Sequence, residues 1–504
     1  MASDTVVSLA RAIRGRVTTD PDALERVGHD GSHLAGRALA SVAPRDADDV
    51  AALVRWARRE RVPLVPRGAG TSLDGESVPS DGAVVVDLSG WNSVLEVEPR
   101  ELWARVEPGV VNLELQHALR AHRVFFPPNP GSWTQSTVGG NLATNASGPR
   151  SFRYGPTRHW IRAAEFVLGS GDRLRVGGRA AKRSTGPDLL QILISSEGTL
   201  GIATEITVRL APLPEIRRGV VVPVPEGVSL GAIASRLASR PGTGLSAVEY
   251  LDRACARVLS ERREVPWPAE GALLMLEVEA DSPAGAQAQI ERLVHGLAPL
   301  GLGSSPTVLE DADRLWTIRG ESSVVLDERV GQRIREDVAV PLGAVDALAR
   351  ELERIARAEG VPMYLFAHLG EGSLHPNYVV DPASGAAERI RAAVLRASLG
   401  FGGTISAEHG IGRLKSGYLE EEVGEAGIRL LRALKAACDP DRILNPGKLF
   451  PDAPGGRGRG SSRSLSGRRG GPTAKERPSA DRGARPGRRA SARWRSRGTP
   501  RVRP

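Results

Sequence analysis

Two hydrophobic periodicities alternate along the first third of the chain. In DADDVAALVRWARRERVPLVPRG, Val50, Leu53, Val54 and Ala57 recur at helical spacing behind an Asp-rich start, and Val62 to Val65 then read as a short strand. GAVVVDL (82–88) and the stretch from Ala104 to Val111 read as further strands, with Gly- and Pro-rich loops between them. Past residue 216 the texture changes. GALLMLEVEA (271–280) reads as a strand, Ala284 to Leu297 as a helix and REDVAVP (335–341) as a strand. An amphipathic helix follows with Val345, Leu348, Leu352 and Ile355, then a strand in VPMYLFAHL (361–369) and helices near 385–399 and 425–438. The fold class predicted is α+β, with a second domain built on an antiparallel sheet covered by helices. The prolines of Ala211-Pro212-Leu213-Pro214 end a strand and mark the boundary. The expected organisation is an N-terminal helical segment (1–39), a first domain (40–215), a second domain (216–452) and a tail (453–504).

Composition changes this picture in three places. The 504 residues suit two or three domains, and 40% hydrophobic residues suffice for their cores. The net charge of +9 is local: residues 451–504 hold 15 Arg and one Lys against three acids, so the remainder is mildly acidic. That segment is Gly, Arg, Ser and Pro with one aromatic, Trp494. It lacks the apolar surface to offset ordering entropy and the aromatics for base stacking, so a disordered, solvated extension is expected and nucleic acid is not an expected partner. Cys255 and Cys438 form no CxxC, which excludes a cysteine-ligated iron–sulfur cluster and a zinc ribbon and fits a reducing cytoplasm. MASDTVVSLARAIRGR lacks the apolar core of a signal peptide, and no window reaches the roughly 18 apolar residues of a membrane helix. A cytoplasmic protein without a membrane span is expected, with peripheral association at the inner membrane face left open.

Three Gly-rich segments carry chemistry in the first half. Arg67-Gly68-Ala69-Gly70-Thr71-Ser72-Leu73-Asp74-Gly75 follows the Val65 strand and Pro66. Its glycines let backbone N–H groups close around a phosphate, but the spacing fails GxGxxG and no helix follows. Gly131 and Ser132 lead into TVGGNLATNASGPR, which spans Thr137, Gly139, Gly140, Asn141, Asn145 and Gly148, with Tyr154-Gly155 just beyond. The third segment is Ser196-Glu197-Gly198-Thr199-Leu200-Gly201-Ile202. Small residues and amides of this kind let backbone approach an extended polar ligand closely.

The second half holds AHLGEGSLHPN (367–377) and SAEHGIG (406–412). Two apolar runs flank GEGS, which reads as a four-residue hairpin loop that sets His368 opposite His375, with Asn377 on the same face as His375. Two imidazoles so placed can share a metal, and Glu408 supplies a third, anionic ligand. Two His and one carboxylate leave open positions and suit a divalent ion, zinc first, with iron or manganese as alternatives. Gly410 and Gly412 permit a bend that brings His409 into the same cavity, where it serves as an acid/base group.

RGAGTSLDG, TVGGNLATNASGPR and SSEGTLGIATEITVRLAPLP resemble the FAD-binding domain of the vanillyl-alcohol-oxidase/PCMH family of flavoproteins. The resemblance implies FAD, with Arg67 to Ser72 on the pyrophosphate, Gly139, Gly140, Asn145 and Gly148 along the flavin, and Glu197, Gly198 and Ile202 toward the adenine and ribose. Some members attach FAD through a His in the first loop. Thr71, Ser72 and Asp74 stand there instead, so noncovalent FAD is expected, and Ser195 replaces a usual Gly. The histidine segments resemble the FAD-linked oxidase C-terminal domain of D-lactate, glycolate and D-2-hydroxyglutarate dehydrogenases, whose usual forms are HxGDGNxHxN and EHGIG. Glu371 and Ser373 depart from that pattern. LWTIR matches the element whose Arg, here Arg319, binds the substrate carboxylate; Arg335 stands at a second basic contact, and LNPGK brings Asn445 near the flavin. The implied activity is oxidation of a small 2-hydroxy acid, with electrons passed to a quinone, a cytochrome or an electron-transfer flavoprotein. The alternatives are an alkyl-dihydroxyacetone-phosphate synthase-like enzyme, whose run of consecutive histidines this sequence lacks, and a flavoprotein subunit of a larger electron-transfer complex.

Overall fold

Asp46 accepts the Asp49 N–H and starts the helix Ala47–Glu60, and Arg61 in the left-handed conformation ends it. The computed structural model describes residues 2–450 apart from 181, 240–243 and 269–270; the expectation of a disordered tail from 453 lies outside the described residues. The helix lays Val50, Leu53, Val54, Trp56 and Ala57 against a four-stranded sheet ordered Arg16–Thr18, Ala38–Ala43, Ala83–Asp87, Leu64–Arg67. The last three strands run parallel. Arg16–Thr18 joins this sheet and Leu9 and Ile13 join its core, so the first 39 residues are part of the first half and not a separate helical segment. The strand expected at 62–65 lies at Leu64–Arg67 and runs directly into the Gly-rich loop. The one expected at 104–111 is Trp103–Val106, because Pro108 has no N–H to continue a ladder. A second, antiparallel sheet holds Val94–Glu98, Trp103–Val106, Gly201–Arg209, Ile161–Leu168 and Arg173–Gly177 in that order.

The second half is a large antiparallel sheet, ordered Thr307–Leu309, Ile216–Val224, Ala272–Ala280, Leu245–Leu251, Met363–His368, Ser373–Tyr378 and Ile334–Arg335, with Val338–Ala339 also on Ser373–Tyr378. Helices Leu230–Ala238, Pro283–Leu297, Val345–Glu359 and Gly385–Gly400 cover one face. Helices Arg253–Arg262, Ala312–Gly320 and Ser322–Val330 cover part of the other. Strand Ala272–Ala280 shows why the faces differ. Leu274, Leu276 and Val278 enter the first core, Leu273 and Met275 the second, and the two-residue period puts Glu277 and Glu279 on that second face. The second face is therefore apolar at one end and charged at the other.

Three expectations are corrected. REDVAVP is not one strand: buried Glu336 and Asp337 break it into Ile334–Arg335 and Val338–Ala339. The helix expected at 425–438 starts at Leu419 and breaks at Gly424. The histidine hairpin pairs His368 with Ser373 and His375 with Phe366, so the loop is Leu369–Gly372 and not GEGS. A 3-10 turn over Leu369–Glu371, closed by Gly372 at φ 74°, sets that register. The slip keeps both histidines on one face because the strand repeat is two.

The chain end returns to the first half. Leu64 N–H donates to the Ile443 carbonyl (2.7 Å), Asn445 N–H donates to the Leu64 carbonyl (2.8 Å), and Ile443 and Leu444 join the first core. Among the described residues no helix is long and apolar enough to cross a membrane.

A Cβ on Gly372 would sit 2.1 Å from the Val340 carbonyl oxygen in a left-handed conformation. Gly372→Ala is expected to cost about 1–3 kcal/mol or more. A denaturant midpoint equal to the parent's would contradict the observed hairpin geometry.

Candidate active site

A cavity of about 880 Å³ lies between the Gly-rich loops and the charged end of the large sheet. Pro66 to Ser72, Gly131, Ser132, Thr137, Gly139, Gly140, Asn141, Glu197, Gly198, Gly201 and Ile202 line it from the first half. Arg319, Arg335, His368, His375, Asn377, Glu408 and His409 line it from the second. The three Gly-rich segments touch one another: a Cβ on Gly68 would lie 2.3 Å from Thr137 Oγ1, and one on Gly198 2.9 Å from the Pro66 ring. These glycines let the three segments approach one another closely in this wall.

Four expected cofactor residues do not line the cavity. Asn145 ends the helix Val138–Thr144 at φ 54° and its Oδ1 accepts the Arg158 N–H. Gly148 packs on the Asn129 carbonyl, and Tyr154 donates to Glu279 between Phe125 and Trp160. Asn445 is buried behind the wall, where its amide donates to the Glu76 (2.8 Å) and Glu197 (2.7 Å) carbonyls and ties two lining segments together. Ser195 at φ 64° takes the backbone state that a Gly adopts without strain.

Glu197 also differs from expectation. Its carboxylate reaches the second half and accepts the N–H groups of Ile411 (2.7 Å) and Gly412 (2.9 Å). Burial pushes it up to about 7 against the pull of those two donors. Burial likewise pushes the neighbouring Glu76 well above its usual value, and the charges of Glu197 and Asp74 add to it.

The histidine centre is denser than its motifs. His368 Nδ1 bonds Glu249 Oε1, and its Nε2 is 2.8 Å from Glu408 Oε1. His375 Nε2 lies 3.4 Å from the same oxygen, and its Nδ1 3.3 Å from Asp337 Oδ1. The two rings meet edge to face at 4.8 Å, and His409 stacks on His375 at 5.2 Å. Glu408 Oε2 accepts the Ser147 hydroxyl (3.0 Å) from the first half. Burial alone would raise Glu408 and depress His368; their pairing wins, holding Glu408 down at about 2 and, with Glu249, His368 well above its usual value. Burial pushes His375 down to about 3, reinforced by positive His368. His368, His375 and Glu408 each bring a ligand atom within 4.8 Å of the others, which fits a cation held by all three. Both Nδ1 atoms facing carboxylates and both Nε2 atoms facing Glu408 is the donor pattern such a site needs.

Arg319 comes from the helix Ala312–Gly320, lies 4.8 Å over the Phe366 ring and donates Nε (3.2 Å) and Nη2 (3.0 Å) to Glu249 Oε2. Arg335 donates to both oxygens of Asp327. The Asn377 amide is already engaged, donating to the His375 (2.8 Å) and Tyr364 (3.3 Å) carbonyls and accepting from Arg333. Glu371 accepts from Ser151, so the departing hairpin loop clasps the first half, and the other departing residue, Ser373, sets its hydroxyl 3.5 Å from His375 Nε2.

Sequence reasoning missed Glu249, Asp337 and Arg333. The available signal was acids inside apolar alternation: Glu249 in LSAVEYL and Asp337 in REDVAV. A charge in a strand interior is costly unless paired, so such positions mark a polar sheet face.

Residues 38–177 match the FAD binding domain family, and residues 213–449 match FAD linked oxidases, C-terminal domain. The glycolate oxidase subunit GlcD of Bacillus subtilis (strain 168) is 33% identical over 422 residues, covering 82% of this chain and 88% of the relative. D-2-hydroxyglutarate dehydrogenase of Stutzerimonas stutzeri (strain A1501) is 34% identical over 454 residues, covering 86% and 96%. The crystal structure of p-cresol methylhydroxylase with substrate bound superposes with a TM-score of 0.75 at 16% identity, over 89% of this chain and 97% of that one, a likeness of fold alone. The expected α+β class, a PCMH-type first half followed by a helix-covered antiparallel sheet, is borne out.

Glu336, beside the centre, has Arg391 Nε at 3.1 Å, yet burial pushes it up from 4.5 to about 7. An acid raised on folding contributes stability below its unfolded value and loses it as pH rises through its folded value. The contribution of Glu336 to stability should therefore fall between pH 4.5 and about 7. Glu336→Gln is expected to flatten that slope in urea unfolding; an unchanged slope would show that Glu336 is charged throughout.

Proposed function

The chain belongs to the FAD-linked oxidase family, and from that premise we propose that it oxidises a small 2-hydroxy acid, of D configuration, to the 2-oxo acid and delivers the electrons to an acceptor other than NAD. It is an FAD-dependent oxidoreductase whose relatives act on hydroxy acids. The observation that carries the reading is one cavity where the Gly-rich wall faces His409, Arg319 and the His368–His375–Glu408 centre.

The Gly-rich wall fits an extended dinucleotide. Arg67 to Ser72 offer N–H groups to the pyrophosphate, and Gly139, Gly140 and Gly198 admit close approach. When bound, FAD supplies the acceptor for the hydride that leaves Cα. Thr71 and Ser72 offer no group for covalent attachment. Acid precipitation is expected to release FAD into the supernatant; flavin remaining in the pellet would overturn the noncovalent reading.

Arg319 binds the substrate carboxylate. Glu249 and the Phe366 face hold its guanidinium, so little side-chain entropy remains to be lost on binding. Arg335 supplies a second basic contact at the cavity wall, and Asn377, tied to the hairpin backbone, packs beside the histidines. A divalent ion, zinc by donor type, held by His368, His375 and Glu408 would act there as a Lewis acid toward the 2-hydroxyl. His409 takes the hydroxyl proton. Its Nδ1 is buried with no hydrogen-bond partner among the described residues, and stacking on His375 fixes the ring plane.

His409 and Arg319 should fail differently. His409→Ala is expected to slow flavin reduction at saturating substrate by about 10²–10⁴-fold. Arg319→Ala should chiefly raise the apparent substrate dissociation constant. Anaerobic stopped-flow bleaching with D-lactate and D-2-hydroxyglutarate reads both. Parent-rate reduction by His409→Ala would rule His409 out as the base.

A further inference from the structure

Resting on the reading of the histidine centre above, we propose that Asp337 is a positioning residue that orients the His375 ring and holds the segment carrying Glu408 and His409. Asp337 is fully buried at the break between Ile334–Arg335 and Val338–Ala339. That break carries it out of the ladder toward both histidine segments. Its Oδ2 accepts the N–H groups of Ala407 (2.9 Å), Glu408 (2.8 Å) and His409 (2.8 Å) and the Ser406 hydroxyl (3.3 Å). Its Oδ1 lies 3.3 Å from His375 Nδ1 as an ion-pair contact, and neither atom has a hydrogen-bond partner among the described residues, so each is the nearest group the other can pair with.

One carboxylate thus serves two jobs through two oxygens. Glu249 stands at Nδ1 of His368 as Asp337 stands at Nδ1 of His375, and both rings turn Nε2 toward Glu408. A carboxylate that holds the proton at Nδ1 leaves the Nε2 lone pair for a cation. The other oxygen gathers three successive N–H groups and so determines where Glu408 and His409 project. Asparagine has nearly the same shape but one acceptor oxygen. It can serve the N–H cluster or His375, and its NH2 then meets donors on the other side.

The test uses FAD-loaded protein stripped with a chelator, titrated with Zn²⁺ by calorimetry, and anaerobic flavin reduction with whichever of D-lactate and D-2-hydroxyglutarate reduces the parent. For Asp337→Asn, Zn²⁺ affinity and the limiting reduction rate are each expected to fall about 10–100-fold. FAD content and the apparent substrate dissociation constant should stay near the parent's, a split that general destabilisation does not produce. Parent-like Zn²⁺ affinity and rate would overturn the proposal. So would two Zn²⁺ per parent chain and one per Asp337→Asn chain, which would make Asp337 a ligand. A parent that binds no Zn²⁺ overturns the metal reading instead, and the reduction rates then decide Asp337. Should Asp337→Asn fail to retain FAD, Ser406→Ala removes one donor from Asp337 and leaves the carboxylate. It should shift both readouts in the same direction by less, and parent values would overturn the proposal.

Discussion

Eight successive backbone N–H groups, from Ile405 to Gly412, donate to side-chain oxygens, and the rest of the site depends on that constraint. Glu422 takes Ile405, Thr404 takes Ser406, Asp337 takes Ala407, Glu408 and His409, Ser406 takes Gly410, and Glu197 takes Ile411 and Gly412. A buried N–H left unpaired costs about 1–3 kcal/mol, so a segment outside helix and sheet must find such partners. The acceptors come from both halves of the chain. Glu408 and His409 can project side by side because neither neighbour pairing nor helix geometry dictates their direction. Gly410 at φ 95° and Gly412 at φ 51° make the bend.

The charged end of the sheet obeys the same economy. Glu249 is fully buried, yet both its oxygens are engaged, one by His368 and one by Arg319. Glu277, also fully buried, is met by Arg217 (2.6 Å), Arg150 (3.3 Å), Trp316 and Ser246. Removing one partner from such a buried set strands the other, at a cost of about 3–5 kcal/mol. The network that holds the Arg319 guanidinium therefore also holds the His368 ring, and the two share one glutamate.

What the sequence determined by itself was local. Amphipathic spacing located the helices at 47–60 and 345–359, Gly-rich runs located the cavity wall, and alternation put His368 and His375 on one sheet face even though the predicted register was two residues off. The tertiary structure decided which acids meet those histidines. Glu249, Asp337 and Glu408 lie far apart in the chain, and only strand order and the Glu336–Asp337 break bring them to one centre. It likewise brought the Glu197 carboxylate to the N–H groups of the His409 loop and set Asn445 behind the wall. Periodicity records which face a residue takes, because the backbone repeat imposes it on neighbours. Partner choice between distant strands follows from burial and hydrogen-bond satisfaction across the whole fold, and no repeat along the chain encodes that.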